Sequence, residues 1–297
     1  MSYSTNLNDQ GIQKIIEKYK EFELPPTNNY TLFRAKYKSC TITIFKTKTI
    51  LFQGLNESSV SQEICALADI EIAKEKSSNS SLSINLSLIG SDEVGTGDFF
   101  GGIVVAASYI PIELIPAIRR LGVKDSKELT DSKIQEIAPI LMEKVKYSVL
   151  LLDNMKYNYV TKVKNMNMNK IKALLHNSAI RSLINKIDSY DGIVIDAFTP
   201  KDKYFEYLKD ESNVIKDVEL IEKAESKYIC VAVSSIIARF IFLKHMDELS
   251  KKIGFELPKG AGPKVDLAIQ KILKTNTVKY LDNFAKTNFK NLEKLKK

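Results

Sequence analysis

The chain predicts an α/β body, a mixed sheet flanked by helices, preceded by a small α+β unit. Two apolar runs enclose a glycine-rich segment from Gly90 to Asp98, and helical and strand patterns then alternate to the C terminus. That order, paired strands first and alternation afterwards, is the pattern of a mixed sheet covered by helices. The segment before it reads instead as helix, short strands, helix. Between the two lies a Ser/Asn cluster around Glu75 to Ser87 with almost no large apolar residue at its front, the composition of a linker. The expected division is therefore residues 1–80, a linker over 81–87, and a body over 88–297 that ends in a basic helical tail.

In the first unit Ile12, Ile15, Ile16, Tyr19 and Phe22 recur at helical spacing, and Pro25-Pro26 stops the helix. Phe33, Ala35 and Tyr37 alternate with Arg34, Lys36 and Lys38, so a strand here has one apolar and one basic face. Cys40 to Phe45 and Thr49 to Phe52 are further strands joined by a KTKT turn, and Val60, Ile64, Leu67 and Ile70 mark a second helix. The basic face is a candidate surface for a polyanion.

The body opens with Ser87 to Ile89 and, beyond the glycines, Gly102 to Ala107 as strand runs. Thr130 is placed to cap a helix carrying Ile134, Ile137 and Leu141. Tyr147 to Leu152 predicts a strand, Asn169 to Ile184 a helix, Gly192 to Ile195 a short buried strand, and Ile229 to Leu249 a long apolar helix.

Composition narrows the function. At 297 residues, 44% apolar and 27% charged, the chain has the make-up of a folded protein and neither a disordered nor a collagen-like one. Cys40, Cys65 and Cys230 are widely spaced and odd in number, which argues against a disulfide framework or zinc cluster and for free thiols in a reducing compartment. No apolar run of membrane-spanning length stands out and the start, MSYSTNLNDQ, lacks a signal-peptide pattern, so the expectation is a cytoplasmic protein with no membrane contact. The net charge of +8 is concentrated between Arg34 and Lys48 and again between Lys271 and Lys297. Two basic zones fit a polyanion-binding chain, although a solvated lysine-rich helix face explains the tail equally simply.

The chemistry-bearing signal is a set of acids at element boundaries. Asp92 and Glu93 end the first strand run of the body, Asp196 follows Gly192-Ile193-Val194-Ile195, and Glu225 precedes the long apolar helix. Carboxylates placed directly after buried strands are costly unless compensated, and ligand sites in open α/β sheets lie at the carboxyl ends of strands. An all-oxygen set suits a hard cation, Mg²⁺ or Mn²⁺. Two such ions activate water and steady the leaving oxygen of a phosphodiester. Asp92 and Glu93 are neighbours, which point to opposite faces of a regular strand, so the expectation is a backbone kink eased by Gly90, Gly95 and Gly97. The glycines do not form a dinucleotide fingerprint, because a strand rather than a helix follows them.

These residues also carry a resemblance. Gly90-Ser91-Asp92-Glu93-Val94-Gly95-Thr96-Gly97-Asp98-Phe99-Phe100-Gly101 resembles the signature of ribonuclease HIII, a type 2 ribonuclease H. The likeness continues, in order, through Gly122 to Lys127, Asn165-Met166-Asn167, Leu175-His176-Asn177, Asp191 to Asp196, Lys223 to Ser226 and Ser235 to Arg239. Phe33 to Lys36 and Leu51 to Gly54 match in the first unit. Glu225 stands where ribonuclease HII has Asp, and Gly95-Thr96-Gly97 replaces its Gly-Arg-Gly; Gly101-Gly102 departs from an expected Gly-Pro. The resemblance implies a ribonuclease H-like body, a TATA-binding-protein-like first unit, and an endonuclease that hydrolyses the RNA strand of RNA–DNA hybrids.

It further implies that Asp92, Glu93, Asp196 and Glu225 are metal-binding catalytic acids, with two ions present when substrate is bound. Asp92 and Asp196 would bridge or flank the ions, Glu225 complete the ligands of the second ion, and Glu93 position the ribose 2′-hydroxyl or a bound water. Gly95, Thr96 and Gly97 are candidate contacts to that hydroxyl, the group that separates RNA from DNA. Lys124, Ser126 and Lys127 are either phosphate contacts or an ordinary turn, and Asn165 and Asn167 either touch nucleic acid or cap the following helix. Lys259 and Lys264 flank a glycine-rich segment suited to phosphate. Arg34, Lys36 and Lys38 are expected to supply salt-dependent affinity without base specificity. His176 reads as a satisfied structural histidine, and Tyr280, Phe284 and Phe289 as a packing stripe. The expected partner is the hybrid alone, bound by a monomer with no obligate protein partner. Incision at single ribonucleotides in duplex DNA is the nearest alternative, and a non-catalytic nucleic-acid-binding protein is the alternative from another class.

Overall fold

The computed structural model describes residues 2–26, 30–38, 40–54, 57–68, 86–123 and 129–294. The chain divides into two compact units, Met1–Ser80 and Ser81–Lys297. Of the expected linker, residues 81–85 lie outside the described residues, as do Ile70, Lys124, Ser126 and Lys127.

The first unit is an antiparallel sheet of β1 (Ser2–Asn6), β2 (Thr31–Tyr37), β3 (Cys40–Phe45) and β4 (Thr49–Gly54), in the order β1-β4-β3-β2. Helices α1 (Asp9–Tyr19) and α2 (Glu57–Leu67) share its core. Asn8 caps α1 by accepting from the Gly11 N–H at 2.7 Å. Phe33, Ala35, Ile42, Ile44, Ile50 and Phe52 meet Ile12, Ile15, Val60 and Ile64 in one apolar cluster. The first strand was not expected: its sequence, SYSTN, has no apolar alternation. It is held through its backbone, in register with β4 from Ser2↔Gln53 to Asn6↔Thr49.

One basic residue leaves its predicted place. β2 ends at Tyr37, and Lys38 turns into the left-handed region with φ of 45°. Its Nζ reaches Glu63 Oε2 on α2 at 2.9 Å. The turn breaks the strand's two-residue alternation, so Arg34 and Lys36 stay on the basic face without Lys38.

The body holds a five-stranded sheet ordered β7-β6-β5-β8-β9. Its strands are β5 (Leu88–Val94), β6 (Ile103–Ile110), β7 (Lys146–Leu152), β8 (Gly192–Asp196) and β9 (Glu219–Ile221). β5, β6 and β7 form an antiparallel meander, whereas β8 pairs parallel with β5 and β9 with β8. Three-residue β9 is too short to leave a sequence pattern of its own.

The sheet is covered on both faces. On one side lie α3 (Ile115–Arg120), α4 (Asp131–Lys144), α8 (Ile229–Ile253) and α9 (Pro263–Leu273); on the other lie α5 (Asn154–Lys162), α6 (Met168–Ile184) and α7 (Lys201–Tyr207). Thr130 caps α4 as expected, its Oγ1 accepting from the Lys133 N–H at 3.2 Å. Despite the sequence expectation, α8 is long and apolar enough to cross a membrane, but 78% of that stretch is buried as the core helix. It lies directly on β5, where a Cβ at Gly90 would stand 2.3 Å from the Cys230 carbonyl carbon. The basic tail is likewise part of the fold. Leu281, Phe284, Ala285 and Leu292 enter the α8-side core, with Tyr280 and Phe289 packed against it.

Candidate active site

Strand β5 deals its side chains alternately to the two faces. Leu88, Gly90 and Asp92 face α8; Ile89, Ser91 and Glu93 face α6. Pairing with β6 runs without a register shift from Leu88↔Ile110 to Val94↔Val104. The expected kink is therefore absent. Pairing with β6 through Val94, and with β8 as far as Ser91, holds β5 regular, and the two neighbouring acids do point to opposite faces at the carboxyl end of the strand.

On the α8 side three acids converge. Asp196 ends β8, and its Oδ1 accepts the Ala224 N–H at 2.7 Å. That contact fixes the 3₁₀ turn Ala224–Ser226, whose Glu225 is buried. Ser235 on α8 donates to Glu225 Oε2 at 3.4 Å and also hydrogen-bonds Asp92. Burial pushes the Asp92 carboxyl well above its usual range, and the charges of Glu93, Asp196 and Glu225 push the same way against the Ser235 hydrogen bond.

On the α6 side Glu93 is gripped. Lys172 Nζ lies 3.0 Å from Oε1, and His176 Nε2 lies 2.9 Å from Oε2. Burial works to raise this carboxyl, but the hydrogen bond and charge of His176, with Lys172, hold it below the usual value. His176 is satisfied on both nitrogens, since its Nδ1 meets Ser91 Oγ at 2.7 Å. Sequence reasoning identified it as structural and missed its contact with Glu93. The signal was available: Lys172 and His176 stand four apart, one above the other on a helix. Ser91 and Ser235 were missed for a different reason, since serines beside apolar residues look like close-packing sites.

Among the described residues no three His, Cys, Asp or Glu side chains are drawn into a ready-made metal cage. The donor chemistry nevertheless fits a hard divalent cation. The donors are all oxygen, and the charges of Glu93, Asp196 and Glu225 act together on the buried Asp92 carboxyl, a concentration that a cation would relieve.

The glycine loop is fastened to a second candidate segment. Asp98 Oδ1 accepts from the Gly260 N–H at 2.6 Å, and the Phe99 N–H donates to the Gly260 carbonyl at 2.8 Å. Gly95 has φ of 97°, and a Cβ there would stand 2.3 Å from the Gly102 carbonyl; at Gly97 a Cβ would meet nothing within 4 Å. Gly101-Gly102 needs no proline for rigidity. The Gly101 carbonyl accepts from Asn154 Nδ2 at 2.9 Å and from Lys286 Nζ, and its N–H donates to the Phe284 carbonyl at 2.9 Å.

Lys259 lies beside this loop but is tied to Asp131, which Arg239 also holds at 2.6 Å; Lys264 is exposed in the first turn of α9. Asn167 Oδ1 caps α6 by accepting from the Lys170 N–H at 2.8 Å, and Asn165 is exposed with φ of 51°.

Comparison with known proteins agrees with this arrangement. A family model described as Ribonuclease HII matches residues 89–292, and one described as a domain of unknown function (DUF3378) matches residues 5–79. The chain is 43% identical to Ribonuclease HIII of Streptococcus mutans, over 99% of this chain and 97% of that protein. It is 42% identical to Ribonuclease HIII of Bacillus mycoides, covering 95% of this chain and 94% of that protein. Among solved structures, Bst-RNase HIII in complex with Mn²⁺ is 38% identical, with a TM-score of 0.70 over 99% of this chain and 97% of that one. Ribonuclease H2 from Pyrococcus horikoshii shares the fold, at 24% identity and a TM-score of 0.57 over 70% of this chain and 96% of that one. Motifs, fold and near full-length similarity agree, and the chain belongs to the ribonuclease HIII family.

Proposed function

We propose that the acidic end of strands β5 and β8 is the hydrolytic centre of a metal-dependent endoribonuclease that cuts the RNA strand of RNA–DNA hybrids. The observation that carries this reading is the convergence of Asp92, Asp196 and Glu225 on one face of the sheet end, with Glu93 next to Asp92 on β5. Mg²⁺ or Mn²⁺ is the cofactor it calls for, two ions with substrate bound. Such ions supply an activated water and neutralise charge at the scissile phosphodiester.

The chain's own residues do the rest. Asp92 and Asp196 would bridge or flank the ions, and Ala224 holds Asp196 in place through its N–H. Glu225 would complete the donor set for a second ion, oriented by Ser235. Glu93, turned toward α6, would be a fourth donor to the ions and would position the 2′-hydroxyl or a water. The open space at Gly97 lets a sugar approach the backbone of Gly95, Thr96 and Gly97. Lys259 and Lys264, with Lys124, Ser126 and Lys127, are the proposed phosphate contacts, and Asn165 a further polar one. Asn167, whose Oδ1 caps α6, is another through its exposed side-chain amide. Arg34 and Lys36 give the first unit its salt-dependent affinity. Three buried free thiols suit a cytoplasmic setting, where the protein acts as a monomer.

The test is gel analysis of a labelled continuous hybrid and of a duplex with one embedded ribonucleotide, each with Mg²⁺, Mn²⁺ or chelator. Metal-dependent cuts along the continuous hybrid, and none with chelator, are expected. Cleavage confined to the single-ribonucleotide duplex would replace the reading with junction incision, and binding without cleavage would make this a binding protein.

A further inference from the structure

We infer that Lys172 is a resident counter-cation of the acidic centre, competing with divalent ions for Glu93. This rests on the reading of that centre given under Proposed function.

Lys172 is an unusual residue for its place. It sits in α6 between Ile171 and Ala173, on a face that packs into the apolar core, and only 8% of it is exposed. A lysine so buried is costly unless its charge is matched. Its match is Glu93, with Nζ 3.0 Å from Oε1 and 4.1 Å above the ring centre of Phe198. His176 takes the other carboxylate oxygen and stacks on the same ring, with centroids 5.3 Å apart and planes 18° from parallel. Since an ionised carboxylate only accepts, His176 donates from Nε2. Phe198 stands two residues beyond Asp196, so the ring supporting both groups belongs to the segment leaving another of the acids.

Each Glu93 oxygen keeps a free lone pair after these contacts, so ligation is not blocked sterically. The competition is electrostatic. A positive charge 3.0 Å from Oε1 opposes the approach of a divalent ion to the same carboxylate, in a partly buried site where water screens poorly. A lysine that served only to contact nucleic acid phosphate would be turned toward solvent and would leave metal affinity alone.

The two roles predict different results. In metal-depleted full-length protein, Mn²⁺ binding is measured by isothermal titration calorimetry for the parent, Lys172→Met, Lys172→Arg and Asp196→Asn, with folding of each checked by circular dichroism. Lys172→Met is expected to bind Mn²⁺ about threefold to tenfold more tightly, and Lys172→Arg to match the parent. Unchanged or weaker binding by folded Lys172→Met overturns the inference. Should Lys172→Met not fold, Lys172→Gln supplies the same comparison. Asp196→Asn separates the two levels: if it loses Mn²⁺ binding while Lys172→Met is unaltered, only the competition fails. If Asp196→Asn binds Mn²⁺ like the parent, the reading of the centre itself fails.

Discussion

Asp196 Oδ1 accepts the backbone N–H of Ala224 at 2.7 Å, which ties the end of β8 to the turn presenting Glu225. An asparagine at 196 keeps an oxygen in that position, so the tie survives while the charge goes. Asp196→Asn should therefore fold normally and bind hybrid, yet lose metal-dependent cleavage by roughly 10²–10³-fold or more. Single-turnover cleavage beside equilibrium binding checks this. Near-parental cleavage would remove Asp196 from the catalytic set.

The glycine loop offers a paired comparison. Gly95 has φ of 97°, and a Cβ would press 2.3 Å from the Gly102 carbonyl and 2.9 Å from the Phe242 ring. Gly95→Ala should cost about 1–3 kcal/mol in stability, seen as a lowered Tm. At Gly97 there is room for a methyl group, so Gly97→Ala should leave Tm unchanged. Its effect should fall on hybrid cleavage, because the methyl occupies space proposed for the sugar. A Tm drop at Gly97 equal to that at Gly95 would make both glycines purely structural.

Much of this was legible in the residues, for identifiable reasons. Long elements with a strong period, such as α6, α8 and β6, announce themselves because burial fixes which positions must be apolar. The acids were legible only as a set: singly each reads as a surface residue, turn former or helix cap, whereas four at element boundaries point to one metal site. β1 and β9 were not: an edge strand held by backbone hydrogen bonds and a three-residue strand place little demand on side chains. The kink expected between Asp92 and Glu93 failed because it assumed that both acids must face the same way. The sheet keeps its register, and two different helices receive them. Spacing could put Lys172 and His176 on one helix face, but not against Glu93, which is 79 and 83 residues away.

In the first unit, Lys38 is bound to Glu63 while Arg34 and Lys36 remain on the strand's basic face. Arg34→Gln with Lys36→Gln should weaken hybrid binding and flatten its dependence on salt, by about one unit of logarithmic slope for each phosphate no longer neutralised. Lys38→Gln should leave the slope nearly intact. Binding measured across a salt series distinguishes these. Equal flattening by Lys38→Gln would return that lysine to the substrate surface.

Burial gives Lys286 a pH-dependent effect on stability. The side chain is fully buried against Tyr157 and Phe289, with Nζ on the Gly101 carbonyl. Burial brings its ammonium down from 10.5 to about 7, with Asp98 opposing that shift. Between those two pH values the unfolded chain holds a proton that the folded chain releases, so stability rises with pH across the window. Below about pH 7 both forms are charged and the full burial penalty is present. Lys286→Met removes the ionisable group while Asn154 Nδ2 still satisfies the Gly101 carbonyl at 2.9 Å. The thioether also suits the neighbouring rings. The variant should be more stable than the parent at pH 6.5, by about 1–3 kcal/mol once the missing amine hydrogen bond is set against the gain. The difference should shrink toward pH 10. Urea unfolding from about pH 6.5 to 10 measures both curves. A parent whose stability is flat with pH, or a variant that parallels it, would show that Lys286 keeps its proton in the fold and that the Gly101 carbonyl compensates the buried charge.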